Sequence, residues 1–239
     1  MKNYIFAFCI SVLLTGCATT ENIKVSRSYD GATVAIVNML DTQATAILIG
    51  TTIFQNAQAK LSLPNHDVVD LTTSITTNSL EKTGRYRVIE VKDKSILGRM
   101  KNVDNLFNTP VWDISSQKEL VSDVGNELSA DIIIVIKDVY TDDFIYGTSA
   151  VLEGYGLFNR SMLGIEKTSI YSSLQLIVLD GNTGEEIAYT SERIATPLAS
   201  DYDFEMLEND NVTLDLIGHV VEGQLIELNT DAVRVLGFN

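Results

Sequence analysis

Thiols are nearly absent from this chain. Its 239 residues hold two cysteines, Cys9 and Cys17, so everything from residue 18 onward has none. Disulfides, zinc–thiolate centres and a cysteine nucleophile are thereby excluded from the body of the protein. Histidine is as scarce. His66 stands at a helix start beside Pro64 and His219 lies inside a C-terminal helical pattern, and each reads as a capping or surface residue. No serine sits in a nucleophile-elbow pattern, no glycine-rich phosphate loop follows a strand, and no His, Asp and Glu group has metal-ligand spacing. Asp142-Asp143 reads as solvated loop. Residues 180–185 lack the alternating acidic positions of a calcium loop and read as a turn. The expectation is a protein that is not an enzyme and takes no cofactor and no metal. Positive charge is also short, with 17 Lys and Arg against 32 Asp and Glu, a net charge of −15. Nucleic acid and anionic lipid headgroups repel such a chain, so neither is expected as a partner through charge.

What is present begins at the amino terminus. Lys2 supplies a positive start and residues 4–14 are apolar and uncharged. The order is that of a secretory signal, and eleven residues fall short of the roughly 20 that span a bilayer. Leu14-Thr15-Gly16-Cys17 is similar to a bacterial lipobox. That resemblance implies cleavage between Gly16 and Cys17, a thioether-linked lipid on Cys17 and several acyl chains in all. It also implies onward sorting to the outer membrane, because Ala18 rather than Asp follows the cysteine. Losing residues 1–16 removes one Lys, so −15 becomes −16. One acyl chain binds marginally and stable anchoring takes more, so the membrane partner is reached through the lipid. Residues 17–31 read as the acylated cysteine and a polar tether, whose last fourteen residues extend at most ~45–50 Å.

The chain is 45% hydrophobic with only 3 prolines, enough for residues 32–239 to form one folded domain. Residues 33–39 are a β-branched run that reads as a buried strand. Residues 41–63 are ambiguous: the first half is nearly uncharged, and the second alternates around Ala57, Ala59, Leu61 and Leu63 yet is also fair helix material. A helix follows Asp67, with Val68, Leu71, Ile75 and Leu80 apolar and Gly84 at its end. Residues 86–91 read as a strand, and a short helix with Ile96, Leu97 and Met100 opens at Asp93. Ser116 and Glu119 have capping-box spacing before a helix that presents Leu120, Val121, Val124 and Leu128. Residues 131–139 are the most apolar run, as expected for a strand covered on both faces. Residues 142–166, rich in glycine, read as an insertion, like 41–63. Residues 168–179 and 185–195 form a hairpin. Asp210 or Asn211 caps a final helix carrying Leu214, Ile217, Val220, Val221 and Leu225, and the tail docks as a strand or turn. This order predicts a single α/β domain whose mixed sheet is flanked by helices.

The strand at 33–39 resembles the fold group of CsgG, LpoB and PelC, also described as TolB N-domain-like. So do Leu80-Glu81-Lys82-Thr83-Gly84-Arg85-Tyr86-Arg87-Val88-Ile89-Glu90, residues 128–135 and the turn Leu179-Asp180-Gly181-Asn182-Thr183-Gly184-Glu185. The pattern covers roughly residues 33–195 and contains no catalytic signature. It implies a lipid-anchored periplasmic domain on the outer membrane that binds an envelope protein or assembles with its own copies.

Within residues 142–166, Tyr155, Leu157, Phe158 and Arg160 are the candidate partner contacts, because large apolar groups on a glycine-rich loop are costly to expose. The alternative is that they pack on their own domain. Three functions follow. One is a non-enzymatic binding or assembly accessory in envelope synthesis or export. Another is a CsgG-like secretion pore in which 41–63 and 142–166 cross the membrane as hairpins. The third is a periplasmic enzyme.

Overall fold

The computed structural model describes residues 29–107, 115–162, 165–198, 204 and 207–238. The cleavage site Gly16–Cys17, the lipid site and most of the tether lie outside them, as do the side chain of Ser116 and Trp112. Ten strands and four helices follow in order: β1 (Thr33–Asn38), β2 (Ala44–Ile49), β3 (Ala57–Leu61), α1 (Val68–Lys82), β4 (Arg87–Glu90), α2 (Lys94–Phe107), α3 (Ser115–Leu128), β5 (Ile132–Lys137), β6 (Tyr140–Asp142), β7 (Val151–Glu153), β8 (Tyr155–Met162), β9 (Ile165–Asp180), β10 (Glu186–Leu198) and α4 (Asn211–Val235).

One long strand organises the sheet. β10 runs antiparallel along one edge of β9, with Leu198 opposite Thr168 and Glu186 opposite Leu179. The other edge of β9 is shared: its first half, from Ile165 to Ser172, pairs with β8, and its second half, from Gln175 to Asp180, pairs with β5. From β8 the sheet continues to β2 and β3, and from β5 to β1 and β4. Two wings therefore hang from one spine. β1 is parallel to both β4 and β5, and β2 is parallel to β8. β6 and β7 form a separate antiparallel pair.

Side-chain alternation builds a layer on each face. On one face α4 covers both wings. Its first half sets Leu214, Ile217, Val221 and Leu225 against Ala44, Ala46, Tyr155, Leu157 and Ile170. Its second half sets Leu228, Ala232 and Val233 against Val34, Ile36, Ile134, Leu174 and Leu176. On the opposite face Ile96 and Met100 of α2 and Val121 and Val124 of α3 meet Ala35, Val37, Ile133, Val135, Ile177 and Leu179. There the β8 wing is closed by Phe144, Ile145, Tyr146 and Leu152 over Ile47, Phe158 and Tyr171. The result is a mixed sheet sandwiched by helices.

Helix starts follow the capping chemistry of the sequence. Asp67 accepts from Asp70 N, and Asp210 from Val212 N and Thr213 N. The buried stripe of α1, however, is Val68, Thr72, Thr76 and Leu80, with Leu71 and Ile75 only partly covered. A polar seam explains it. The Asn38 amide donates to Val69 O at 2.9 Å and to Thr72 Oγ1 at 2.8 Å, while Asn229 Nδ2 donates to Thr72 O at 2.8 Å and Thr76 Oγ1 to Asn229 Oδ1 at 3.1 Å. Each buried polar group finds its partner across β1, α1 and α4.

The two glycine-marked segments are corrected by the fold. Residues 41–63 form β2, a one-turn 3-10 helix at Ile53–Gln55 and β3, and within 142–166 lies β8, in the interior of the sheet. They are sheet strands of the domain and not appended insertions, and β2 and β8 pair side by side. β2 and β3, at 6 and 5 residues, are shorter than the roughly 9–11 of a membrane-crossing strand. The tail ends as a turn, with Phe238 buried against Tyr86.

Candidate functional site

Tyr155, Leu157 and Phe158 are all buried in β8, so the proposed contact residues point into their own core. Leu157 lies in the layer under α4 and Phe158 in the opposite one, and the Tyr155 hydroxyl donates to Asp41 O at 2.7 Å. Of the alternatives read from the sequence, self-packing describes these three side chains. Arg160 donates to Tyr146 O at 3.1 Å. Gly154 and Gly156, which made the segment look like a loop, instead allow close approach: a Cβ on Gly156 would sit 1.9 Å from Thr45 O in the adjacent strand.

Of the large apolar side chains that reach solvent, three gather at the far end of the same wing, while Val212, Leu216 and Ile226 lie on α4 and Tyr140 and Val151 in the β6–β7 pair. Ile53 is 78% and Phe54 93% exposed in the turn between β2 and β3, and Ile165 is exposed where β9 begins. Because β2 is parallel to β8, this turn and the β8–β9 connection share one end of the sheet. The turn is built to present them. Gly50 N donates to Asn56 Oδ1 at 3.0 Å, Thr52 N to Gln55 Oε1 at 3.1 Å and Gln55 N to Thr52 O at 3.0 Å. The polar side chains close the turn on itself, leaving Ile53 and Phe54 outermost. Sequence reasoning missed them because the nearly uncharged first half of 41–63 gave no sign of where a turn interrupts it.

Where the two wings part, the polar groups converge. The Ser173 hydroxyl shares its proton between Val139 O at 3.1 Å and Gly154 O at 2.9 Å, joining the end of the β5 segment to the start of β8. Asp138 lies beside this fork and accepts from Asp41 N at 2.7 Å. The residue is partly accessible overall, yet its Oδ1 is sealed from solvent and has no hydrogen-bond partner among the described residues. Burial pushes its carboxyl up to about 7, repulsion from Glu153 and Asp41 adds to that, and the Asp41 amide and Lys60 oppose it. Lys60 Nζ lies 2.9 Å from Asp41 Oδ2 and 3.9 Å from Glu153 Oε2. For Asp41, burial is the largest influence and works upward too, but the Lys60 hydrogen bond and charge together with the Gln43 and Thr42 amides outweigh it, and the carboxyl stays below its usual range.

Of the acidic pair read as solvated loop, Asp142 is exposed at the end of β6 while Asp143 is buried and spent locally. Asp143 accepts from Ile145 N, Tyr146 N, Thr148 N and Thr148 Oγ1 at 2.7–2.9 Å, which makes it a loop organiser. Asp180 accepts from Asn182 N and Thr183 N at 2.9 Å, the turn read from the sequence. The two histidines were expected as separate capping or surface residues. Their rings instead meet at 4.7 Å, edge to face, between the turn before α1 and the face of α4.

The fold defines a mixed α/β domain with a shared central strand. No family model matches the chain, and no curated protein matches it. Solved structures similar to it include the hypothetical protein CT253 from Chlamydia trachomatis, at 15% identity and a TM-score of 0.41, covering 87% of this chain and 97% of that one. The LpoB C-terminal domain from Salmonella enterica is similar at 9% identity and a TM-score of 0.30, covering 71% and 86%. PelC from Paraburkholderia phytofirmans, solved as a dodecamer, is similar at 10% identity and a TM-score of 0.34, covering 87% and 88%. At such scores the likeness carries no partner or activity with it.

Proposed function

We propose that this protein is a non-enzymatic accessory of the bacterial envelope, a binding or assembly module held to the outer membrane by lipid on Cys17 and facing the periplasm. Residues 1–16 act as the signal, 17–31 as the tether and 32–239 as the working domain. The observation that carries the reading is the exposed pair Ile53 and Phe54 on a turn closed by its own polar side chains. A chain with net charge −15 gains nothing in solution by displaying its largest apolar groups, whereas a partner that covers them does.

Geometry supports the same reading. The chain enters β1 beside Ile132, opposite the Asp180 end of β9, while the apolar tip lies at the Ile165 end. Sixteen strand residues separate them by up to roughly 50 Å. A tether leaving one end and an apolar tip at the other suits a module that reaches from its anchor toward an envelope protein or a further copy of itself. No helix among the described residues is long and apolar enough to cross a membrane.

The test is site-specific photocrosslinking in intact envelopes, with the crosslinker at position 54 or, as control, at exposed position 226. The expected result is a discrete protein adduct at 54 and none at 226. Adducts to lipid alone at 54 would favour the pore subunit reading, and no adduct at all would remove the tip as a contact. Cys17→Ser is expected to leave the precursor unacylated and mislocalised; normal sorting of that variant would refute the anchor.

A further inference from the structure

We propose that His66, His219 and Glu222 form a binding site for a zinc-class divalent cation, with Asp215 as the residue that positions both imidazoles. One donor atom from each of His66, His219 and Glu222 lies within 4.8 Å of the others. The residues come from two places, His66 from the turn before α1 and the rest from a single face of α4. Asp215, His219 and Glu222 fall at i, i+4 and i+7, which brings them above one another on a helix.

The site is built from below. Asn65 adopts a left-handed backbone, at φ 69°, immediately before His66. That conformation is uncommon outside glycine, although asparagine tolerates it better than most. Gly218 lies under the ring: a Cβ there would come within 2.1 Å of His66 Cδ2. A strained turn and a missing side chain together seat the imidazole flat against α4, leaving its side chain only 3% exposed. Neither feature is needed for a capping residue.

The polar contacts sort into two shells. His66 Nε2 lies 3.3 Å from Asp215 Oδ1, and His219 Nε2 lies 3.6 Å from Asp215 Oδ2. One carboxylate thus faces the same nitrogen of both rings, the arrangement that fixes the tautomer and orientation of metal-binding histidines. With its Nε2 proton held by Asp215, the His66 ring carries its lone pair on Nδ1. On that side stands Glu222, its Oε1 3.0 Å from His66 Nδ1 and its Oε2 3.8 Å from His219 Nδ1. Despite the short approach, the buried His66 Nδ1 has no hydrogen-bond partner, so the carboxylate is not aligned to receive a proton from it. Two imidazole nitrogens and a carboxylate oxygen converging in this way are the donor set of a divalent cation.

Donor chemistry selects the class. Two nitrogens and a carboxylate, with no thiolate and few hard oxygens, suit zinc better than magnesium or calcium. Ligand nitrogens about 2.0–2.1 Å from zinc stand closer together than 4.8 Å, so His219, 67% exposed and only 3.6 Å from Asp215, closes the set by a small rotation that also brings it onto that carboxylate. The open side faces solvent past His219, which leaves room for a water or an added ligand. A bound cation would tie the turn at residues 64–67 to α4, next to the surface cleft lined by Thr42, Leu63, His66 and Asp67.

Calorimetric titration of the full chain with Zn²⁺ tests the site, with Mg²⁺ in parallel. The expected result is one Zn²⁺ per chain, a higher melting temperature with Zn²⁺ and no response to Mg²⁺. His219→Ala and Glu222→Gln, both on the solvent side of α4, are expected to keep the fold by circular dichroism and to weaken Zn²⁺ binding at least tenfold. Asp215→Asn is expected to weaken it by roughly 10–100-fold without changing the stoichiometry. Absence of Zn²⁺ binding to the wild-type chain, equal binding of Mg²⁺, or unchanged affinity in folded His219→Ala would each overturn the proposal.

Discussion

A side chain on Gly154 would begin 2.2 Å from Asp138 Oδ1. The glycine sits at φ 60° between β7 and β8, and the space it leaves is where the buried carboxyl rests. Gly154→Ala therefore incurs left-handed strain of roughly 1–2 kcal/mol and a steric conflict in a sealed pocket. We expect it to lower stability by about 2–4 kcal/mol in urea unfolding; a loss under 0.5 kcal/mol would show that the fork is plastic.

Stability should fall with rising pH because of Asp138. Its carboxyl titrates at about 7 in the fold, against 3.8 for the unperturbed group. Between those values the folded state holds a proton that the unfolded chain has released. Linkage then makes stability decline as pH rises from about 4 to about 7, by up to roughly 1.4 kcal/mol per pH unit, with no further change from this group above that window. Asp138→Asn keeps an acceptor for the Asp41 amide and removes the titration. Melting curves across this range should show a shallower decline in the variant than in the wild type.

Tyr155→Ala and Phe158→Ala should each cost about 3–5 kcal/mol, since both side chains are buried on opposite faces of β8. Denaturant midpoints measure this directly. Retained stability together with lost partner capture would instead restore the contact role read from the sequence.

Phe54→Asp should behave in the opposite way. With the ring 93% exposed, stability is expected to change by no more than about 0.5 kcal/mol, while crosslinked or co-purified partner falls sharply. Unchanged capture in that variant would take the tip out of the proposed function.

The seam between α1 and α4 offers a polar counterpart. Asn229→Ala removes the Nδ2 donor to Thr72 O and one of the two acceptors of Thr76 Oγ1, leaving only the bond between Thr76 Oγ1 and Thr72 O in a buried site. The expected loss is about 1–3 kcal/mol, seen as an earlier thermal transition. Asn229→Asp keeps the acceptor for Thr76 but not the donor for Thr72 O, so it should recover little.

Much of the layer order was legible in the residues. The runs that became β1, β5 and the β9–β10 hairpin are long, β-branched and bounded by Asp and Gly, and the caps Asp67 and Asp210 stand where helices start. The failures share a cause, which is that tertiary pairing overrides local composition. Gly154 and Gly156 look like loop residues until Thr45 and Asp138 are brought against them. The burial of Thr72 and Thr76 had no signal in the chain, because nothing near them in sequence announces Asn38 or Asn229. The histidine pair was illegible for the same reason, its members being brought together only by the docking of a turn on α4. Ile53 and Phe54 were hidden by their resemblance to the strand that precedes them.

The sharing of β9 has a consequence for how the chain matures. Each wing owns its own strands, but only residues 165–180 join the two halves into one sheet. A polypeptide emerging amino terminus first must carry two incomplete halves until this late segment appears, and ring closure across so many residues is slow. The apolar strands of both wings thus stay without their shared partner until residues 165–180 emerge.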